Sequence, residues 1–316
     1  MRKILITGAA GNLGGLLANY LKDDDIHLNL MYHKKEIAKE LLERKNVSIY
    51  KVDLNDKETL SKCIKDVDTI VHFAGVLFKS NPEKFLPITN IQYFKNLLDI
   101  ATESGVKKII LISFPHVEGE TTPESPAKGI LNGTPISMHA ITRLEEEKLL
   151  FKECEKHNIN AVSLRLGMVY GKGILMIDTA RWFAKYNILG IWKKPTWIHL
   201  ISIIDYLQAT KNAIIKENIK GIYHIGDDGK QTLQEFLDDA TKKWGYRKPI
   251  RMSNKILFFV AQIFEISSSI FGTRSPLTKD FIKIGMVSYY GDNLRMKTDL
   301  LPELKYKTYK EGLNTL

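Results

Sequence analysis

The chain predicts an α/β fold, a doubly wound parallel sheet with a smaller, interleaved C-terminal lobe. Three observations predict it: short β-branched runs alternate with helical periods over the first part of the chain, a glycine-rich turn follows the first of those runs, and the rhythm changes past Tyr170. Such alternation is the mark of parallel strands joined by crossover helices.

Taken in order, strands are expected at 3–7, 28–32, 47–51, 69–72 and 108–112. Between them, 13–22, 35–44, 57–65 and 88–104 place apolar residues at three- and four-residue spacing, which predicts helices. A long helix over 139–157 leads into a sixth strand at 161–166. Segment 171–196 is rich in aliphatic and aromatic residues without clean alternation; then 197–201, a helix over 205–216 and a strand at 221–225 return to the sheet layer. Helices over 232–244 and 254–270 belong to the smaller unit. The organisation read from this is a sheet domain over 1–170, with 197–225 returning to it, and a lobe built mainly from 171–316.

With 316 residues, 44% hydrophobic and 26% charged, the chain has ordinary globular usage, which excludes disorder as its general state. Its net charge of +10 permits a polyanionic partner, but the lysines are scattered and their densest clusters are pairs (Lys34-Lys35, Lys107-Lys108, Lys193-Lys194). A nucleic-acid face gathers its charge in a stripe, so a solvated surface is the expectation and nucleic acid is not. Cys63 and Cys154 lie far apart, which suggests neither a disulfide framework nor a metal site. The first apolar run breaks at Gly8, and the run over 256–264 contains Gln262, well short of the roughly 20 residues that span a bilayer. No transmembrane segment and a cytoplasmic location are expected; a homodimer is compatible with all of this.

The strongest motif is Thr7-Gly8-Ala9-Ala10-Gly11-Asn12-Leu13-Gly14, between a strand and a helix. A pyrophosphate approaches a helix N-terminus where no side chain blocks it, and there free N–H groups and the positive end of the dipole receive it. Gly8 and Gly11 permit the turn and the close approach, and Gly14 lets the helix lie against the sheet. This is the pattern of a dinucleotide site. Cofactor choice is read at the end of the second strand, where Met31-Tyr32-His33-Lys34-Lys35 offers no carboxylate before Glu36. A basic pocket favours NADP over NAD, with His33 and Lys34 toward the 2′-phosphate; a solvent-facing helix start is the structural alternative.

With these motifs, Asp53-Leu54 after the third strand, His72-Phe73-Ala74-Gly75 after the fourth, Asn90 and Asn96, and Arg165-Leu166-Gly167-Met168-Val169-Tyr170-Gly171, the chain resembles the extended short-chain dehydrogenase/reductases, the NAD(P)-dependent epimerase/dehydratase-like proteins with a Rossmann sheet. The resemblance covers most of the chain and is weakest over 174–196 and 247–286. It implies that Asp53 holds the adenine amino group, that Phe73, Ala74 and Gly75 pass along pyrophosphate and ribose, and that Leu166 and Met168 line the nicotinamide end. It also implies a small-molecule substrate in the C-terminal lobe.

The family's proton chemistry uses a tyrosine, a lysine four residues later, and a serine or threonine from the preceding strand end. Here the serine is Ser113, but the other two positions read His139 and Arg143. Arginine stays charged and cannot exchange the proton, although it can donate to ribose hydroxyls. Histidine can act as a weak acid or base. Tyr93 and Tyr170 are substitute acids to consider. The bland reading of His139 and Arg143 is a helix surface that keeps cofactor binding without catalysis. Met168, with Ile174, Leu175, Trp182 and Trp197, points to an apolar pocket or lid, or to core packing, and the helix over 255–270 is expected to be buried. Two functions therefore compete: an NAD(P)-dependent oxidoreductase or epimerase acting on a small, partly apolar carbonyl or hydroxyl substrate, and a non-catalytic NADP(H)-binding regulator. A polyanion binder is the third.

Overall fold

In the computed structural model, which describes residues 1–75, 81–271, 275 and 277–316, the first half of the chain runs β1 (Arg2–Thr7), α1 (Asn12–Leu21), β2 (Ile26–Tyr32), α2 (Lys39–Leu42), β3 (Val47–Lys51), α3 (Lys57–Ile64), β4 (Thr69–His72), α4 (Tyr93–Glu103), β5 (Lys108–Ser113), α5 (Met138–Lys156) and β6 (Asn160–Leu166). It continues through β7 (Met168–Tyr170), α6 (Leu175–Lys185), β8 (Gly190–Trp192), β9 (Trp197–Ile198), β10 (Leu200–Ser202), α7 (Ile203–Ile215) and β11 (Gly221–Ile225). The last elements are β12 (Gln231–Thr232), α8 (Leu233–Lys243), β13 (Ile250–Met252), α9 (Asn254–Phe271), α10 (Lys279–Gly285), α11 (Leu294–Asp299) and α12 (Tyr309–Gly312).

Seven strands form one sheet in the order β11-β6-β5-β4-β1-β2-β3, every pair parallel. Strands covered on both faces need apolar residues at successive positions, and alternate side chains then feed opposite layers. Ile4 and Ile6 pack in the core beneath α1 and α7, with Leu17, Leu21 and Ile214; Leu5 packs on the other side, with Leu60 of α3, Leu97 of α4 and Leu150 of α5. The first of these cores runs without a break into the C-terminal elements through Tyr223, Phe236, Leu257 and Ile282. Each such aliphatic side chain contributes about 1.5–3 kcal/mol on burial.

Strand order reverses between β1 and β4, and the register Thr7↔His72 brings their carboxyl ends level. Ligands of open parallel sheets bind at such a switch point. Side chains start the neighbouring helices: Asp56 accepts from the Glu58 and Thr59 amides at α3, Ser137 from Ala140 at α5, and Thr232 forms a capping box with Glu235 at α8. The helix α1 differs, because Gly11 precedes it and no side chain caps it.

Four expectations change. The helix over 35–44 shrinks to the four residues of α2, because Ala38 supplies no cap and 33–36 stay exposed. The helix over 88–104 opens with a π turn, Pro87–Gln92, that carries the buried Asn90. The strand over 197–201 divides at His199, so that β9 pairs antiparallel with β12 and β10 pairs parallel with β7. Finally, α9 is buried on one face only; Phe259, Ile263, Ile266 and Ile270 are exposed.

Candidate active site

The glycine turn after β1 is built from backbone. Gly8 takes a left-handed conformation (φ +66°), which glycine adopts at little cost. The Gly11 N–H donates to the Gly8 carbonyl at 2.8 Å, and a Cβ on Gly14 would stand 2.6 Å from that same oxygen. Gly14 thus serves the contact between the loop and its own helix. With α1 uncapped, its first-turn amides at Asn12 and Leu13 remain available to an anion. The Asn12 side chain is otherwise committed: its amide donates to the Gly173 carbonyl at 2.7 Å and accepts from the Leu175 N–H at 3.0 Å, strapping the loop to the start of α6. Ala10 and Leu13 pack partly on the core below.

At the far end of the loop, His33 Nε2 lies 3.6 Å from Asp53 Oδ2, both side chains about half exposed. Asp53 Oδ1 accepts from the Asn55 N–H at 2.9 Å, which fixes the turn. Leu54 is buried, and Asn96 donates to its carbonyl at 3.1 Å. Lys34 is exposed and has no ion-pair partner among the described residues.

Between β1 and β4 a hydroxyl joins the two strand ends. Thr7 Oγ1 accepts from the Phe73 and Ala74 amides at 3.1 and 3.2 Å and lies 2.9 Å from His72 Nδ1. With both lone pairs taken, the Thr7 proton goes to Nδ1, so the neutral imidazole carries its hydrogen on Nε2. That nitrogen faces Glu146 Oε1 at 3.9 Å, inside the protein. Burial and the Arg143 charge press His72 down to about 3. Burial pushes Glu146 up to about 8, against the pull of Arg143, whose Nη1 donates to its other oxygen at 2.7 Å.

Arg143 also closes the crevice beside Gly75, where a Cβ would stand 2.4 Å from Nη2. Asn90 approaches the same glycine and donates to Thr142 Oγ1 at 3.0 Å, tying the π turn to α5. One turn earlier on α5, His139 Nε2 lies 3.3 Å from Asp280 Oδ2, which α10 brings from the C-terminal part. Both side chains are largely buried. Burial and Arg143 lower His139 to about 4, and burial raises Asp280.

Ser113 donates its hydroxyl proton to Glu147, which also receives Ser163 and the Arg165 guanidinium. Arg165 in turn pairs with Glu118, and His224 stands 3.4 Å from Glu118 Oε1. As it stands, Ser113 offers a ligand only an acceptor. Leu166 is buried, and Gly167 lets β6 leave the sheet: a Cβ there would meet the His199 carbonyl at 2.4 Å. Met168 packs partly on the core. Tyr170 is no substitute acid at this edge, because it is buried against Phe236 and Gly312 and burial raises its phenol far above the usual range. Tyr93 packs beside the α3–α4 core.

The structure therefore brings Gly8, Gly11, Phe73, Ala74, Gly75, Arg143 and His139 to one sheet edge. Sequence reasoning missed Asp280, which falls in the stretch of weakest resemblance; its one local signal is its place in the first turn of a helix capped by Thr278. It also missed Glu146, which lies buried on α5 beside Arg143. The glycine cradle and uncapped helix suit a dinucleotide pyrophosphate, and Arg143 beside Gly75 suits an adjoining ribose.

Comparison with known proteins agrees with this fold. The family model for the NAD dependent epimerase/dehydratase family matches residues 4–187, more than half of the chain. A uronate dehydrogenase of Pseudomonas putida is 28% identical over 236 residues, 74% of this chain and 86% of that one. A uronate dehydrogenase of Pseudomonas syringae is 28% identical over 165 residues, 52% of this chain, so the chain spans only 58% of that relative's length. Among solved structures, UDP-glucuronic acid 4-epimerase from Bacillus cereus, in complex with UDP-glucuronic acid and NAD, superposes with a TM-score of 0.78 at 20% identity, covering 99% of this chain and 97% of the other. The dTDP-glucose 4,6-dehydratase of Bacillus anthracis, in complex with NAD, gives 0.79 at 16% identity, with 100% and 95% covered.

Proposed function

The chain belongs to the NAD dependent epimerase/dehydratase family, and from that premise we propose that it is an NAD(P)-dependent oxidoreductase or epimerase acting on a small hydroxyl or carbonyl substrate, with His139 as the proton-transfer residue. The observation that carries the reading is the His139–Asp280 pair, 3.3 Å apart, one helical turn from the Arg143 that borders Gly75. A nicotinamide bound at this edge supplies the acceptor or donor of hydride. The chain's own residues then have separable tasks. The 8–14 turn binds diphosphate through amides, Arg143 donates to ribose hydroxyls, and Glu146 holds Arg143 in place.

Asp280 draws the Nε2 hydrogen of His139, which makes Nδ1 the basic nitrogen. As a hydroxyl substrate loses hydride, its O–H proton passes to Nδ1, and Asp280 stabilises the imidazolium that forms. The reverse direction returns that proton to a carbonyl oxygen. Because His139 is lowered to about 4, it is neutral at pH 7 and ready to accept. The uronate dehydrogenases and nucleotide-sugar enzymes among the relatives point to sugar-derived hydroxyls as the first substrates to try. Met168, a thioether at the nicotinamide end, favours a partly apolar substrate. Lys34 at the end of β2 favours NADP over NAD. A reducing cytoplasmic setting suits the two free, buried cysteines.

The test is titration of the protein with NADPH and NADH by intrinsic fluorescence, followed by absorbance assays on uronic acids and nucleotide sugars. Dinucleotide binding, with turnover that His139→Ala removes while binding persists, is the expected result. Binding without any turnover would make the protein a dinucleotide-responsive regulator. Silence toward both dinucleotides would overturn the reading.

A further inference from the structure

We propose that the face formed by α6 and α9 docks the protein on an anionic lipid bilayer. The helix α9 buries Leu257 and Ala261 and turns Ile256, Phe259, Ile263, Ile266 and Ile270 outward, at exposures of 52, 65, 52, 52 and 72%. Spacing of three and four places these five on a single stripe. On α6 and just beyond it, Leu175, Trp182 and Ile188 are each more than half exposed. The two helices meet: Trp182, Phe183, Ile188 and Phe264 line a shared apolar depression of about 500 Å³. An exposed apolar face of this kind marks a surface that another body covers.

Charge selects the body. Lys185, Lys193, Lys194, Arg247 and Lys255 lie on α6, on α9 or in segments adjoining β8 and β13, and all are exposed. Strand β8 packs against α9 and pairs with β13. None of these five cations has an ion-pair partner among the described residues. Acidic side chains on the two helices are Asp178 and Glu265, and Lys279 lies 3.7 Å from the latter. A second copy seated across a two-fold axis would bring a surface of the same net positive charge against this one. A bilayer of anionic lipid satisfies both halves of the surface, apolar residues entering the acyl boundary and lysines meeting headgroups, and stable anchoring needs two such signals. Trp182 and Tyr186, both exposed, are aromatic side chains of the kind that favour the headgroup level. No described helix is long and apolar enough to cross a membrane, so the face lies on the surface.

The full chain is incubated with vesicles of phosphatidylcholine alone and with 30% phosphatidylglycerol, and bound protein is measured by sedimentation. The expected result is at least tenfold stronger partition to the anionic vesicles, removed by 0.5 M salt. Lys193→Gln and Lys194→Gln each weaken it about fivefold, the equivalent of about 1 kcal/mol per cation. Phe259→Gln, at an exposed position, weakens it about tenfold while thermal stability and dinucleotide affinity hold, which separates this proposal from the cofactor reading. Absent or equal binding to both vesicle types overturns it. So does a dimer in sedimentation velocity that Ile263→Gln splits, because the face would then belong to a second copy.

Discussion

The phosphate end and the proton-transfer end of the same sheet edge are built from different materials. At the first, Gly8, Gly11 and Gly14 present backbone, and the seven consecutive residues 8–14 contain nearly the whole device. At the second, His139, Arg143 and Glu146 come from α5, Asp280 from α10 and Asn90 from a π turn, so five side chains converge from three places in the chain. A backbone site fails when bulk is added to it, whereas a side-chain site fails when a group is taken away.

The largest expected effect tests the first half of that contrast. In Gly14→Val the new Cβ stands 2.6 Å from the Gly8 carbonyl, which is backbone and cannot swing aside. Loop and helix must part, and dinucleotide binding should fall below detection in a fluorescence titration, with the urea midpoint as the control for folding. Retained binding would mean that the turn does not hold the diphosphate.

Next in size is His139→Ala, which should lower kcat by about 10²–10⁴-fold, the usual contribution of general acid–base catalysis, and leave dinucleotide affinity unchanged. The pH profile adds a sharper test. Because the imidazole is depressed to about 4, its basic form is present above that value, and the limb that His139 gives to kcat/KM should lie on the acid side, below pH 6. An acid limb near 6.5 would mean that water or the Asp280 carboxylate offsets the burial of His139. Asp280→Asn should cost about tenfold in kcat by weakening the base, without moving dinucleotide affinity.

Thr7→Val tests the joint between the two ends. It keeps shape but leaves the Phe73 and Ala74 amides and His72 Nδ1 without their partner. Unsatisfied buried groups cost about 1–3 kcal/mol each, so a loss of about 3 kcal/mol in unfolding free energy is expected by denaturant titration. A loss under about 0.5 kcal/mol would mean that water or a shifted loop replaces the hydroxyl.

The sheet was legible because strands covered on both faces must be apolar at successive positions, and 4–6, 70–71 and 109–112 are. The glycine turn was legible for the related reason that only glycine fits its contacts. The short α2 was not legible, since helical spacing over 35–44 carries no information about a missing cap. Nor was the exposed face of α9: an apolar stripe reads the same whether it meets a core or faces outward, and only the fold decides. Asp280 escaped because carboxylates are common on helix first turns, and its pairing with His139 depends on how α10 docks, more than a hundred residues downstream.

The smallest effect tests whether a side chain also matters at the backbone end. Lys34 is exposed just past β2, beside a His33 that faces Asp53 at 3.6 Å. If the 2′-phosphate of NADP is received there, Lys34→Glu exchanges an attraction for a repulsion at a solvated site, where charge interactions amount to about 1 kcal/mol. The ratio of NADPH to NADH affinity should then fall about tenfold, through NADPH alone, with the shift shrinking at high salt because exposed charges are screened. An equal loss for both cofactors would place Lys34 against the shared diphosphate, and no change in either would mean that Lys34 takes no part in cofactor choice.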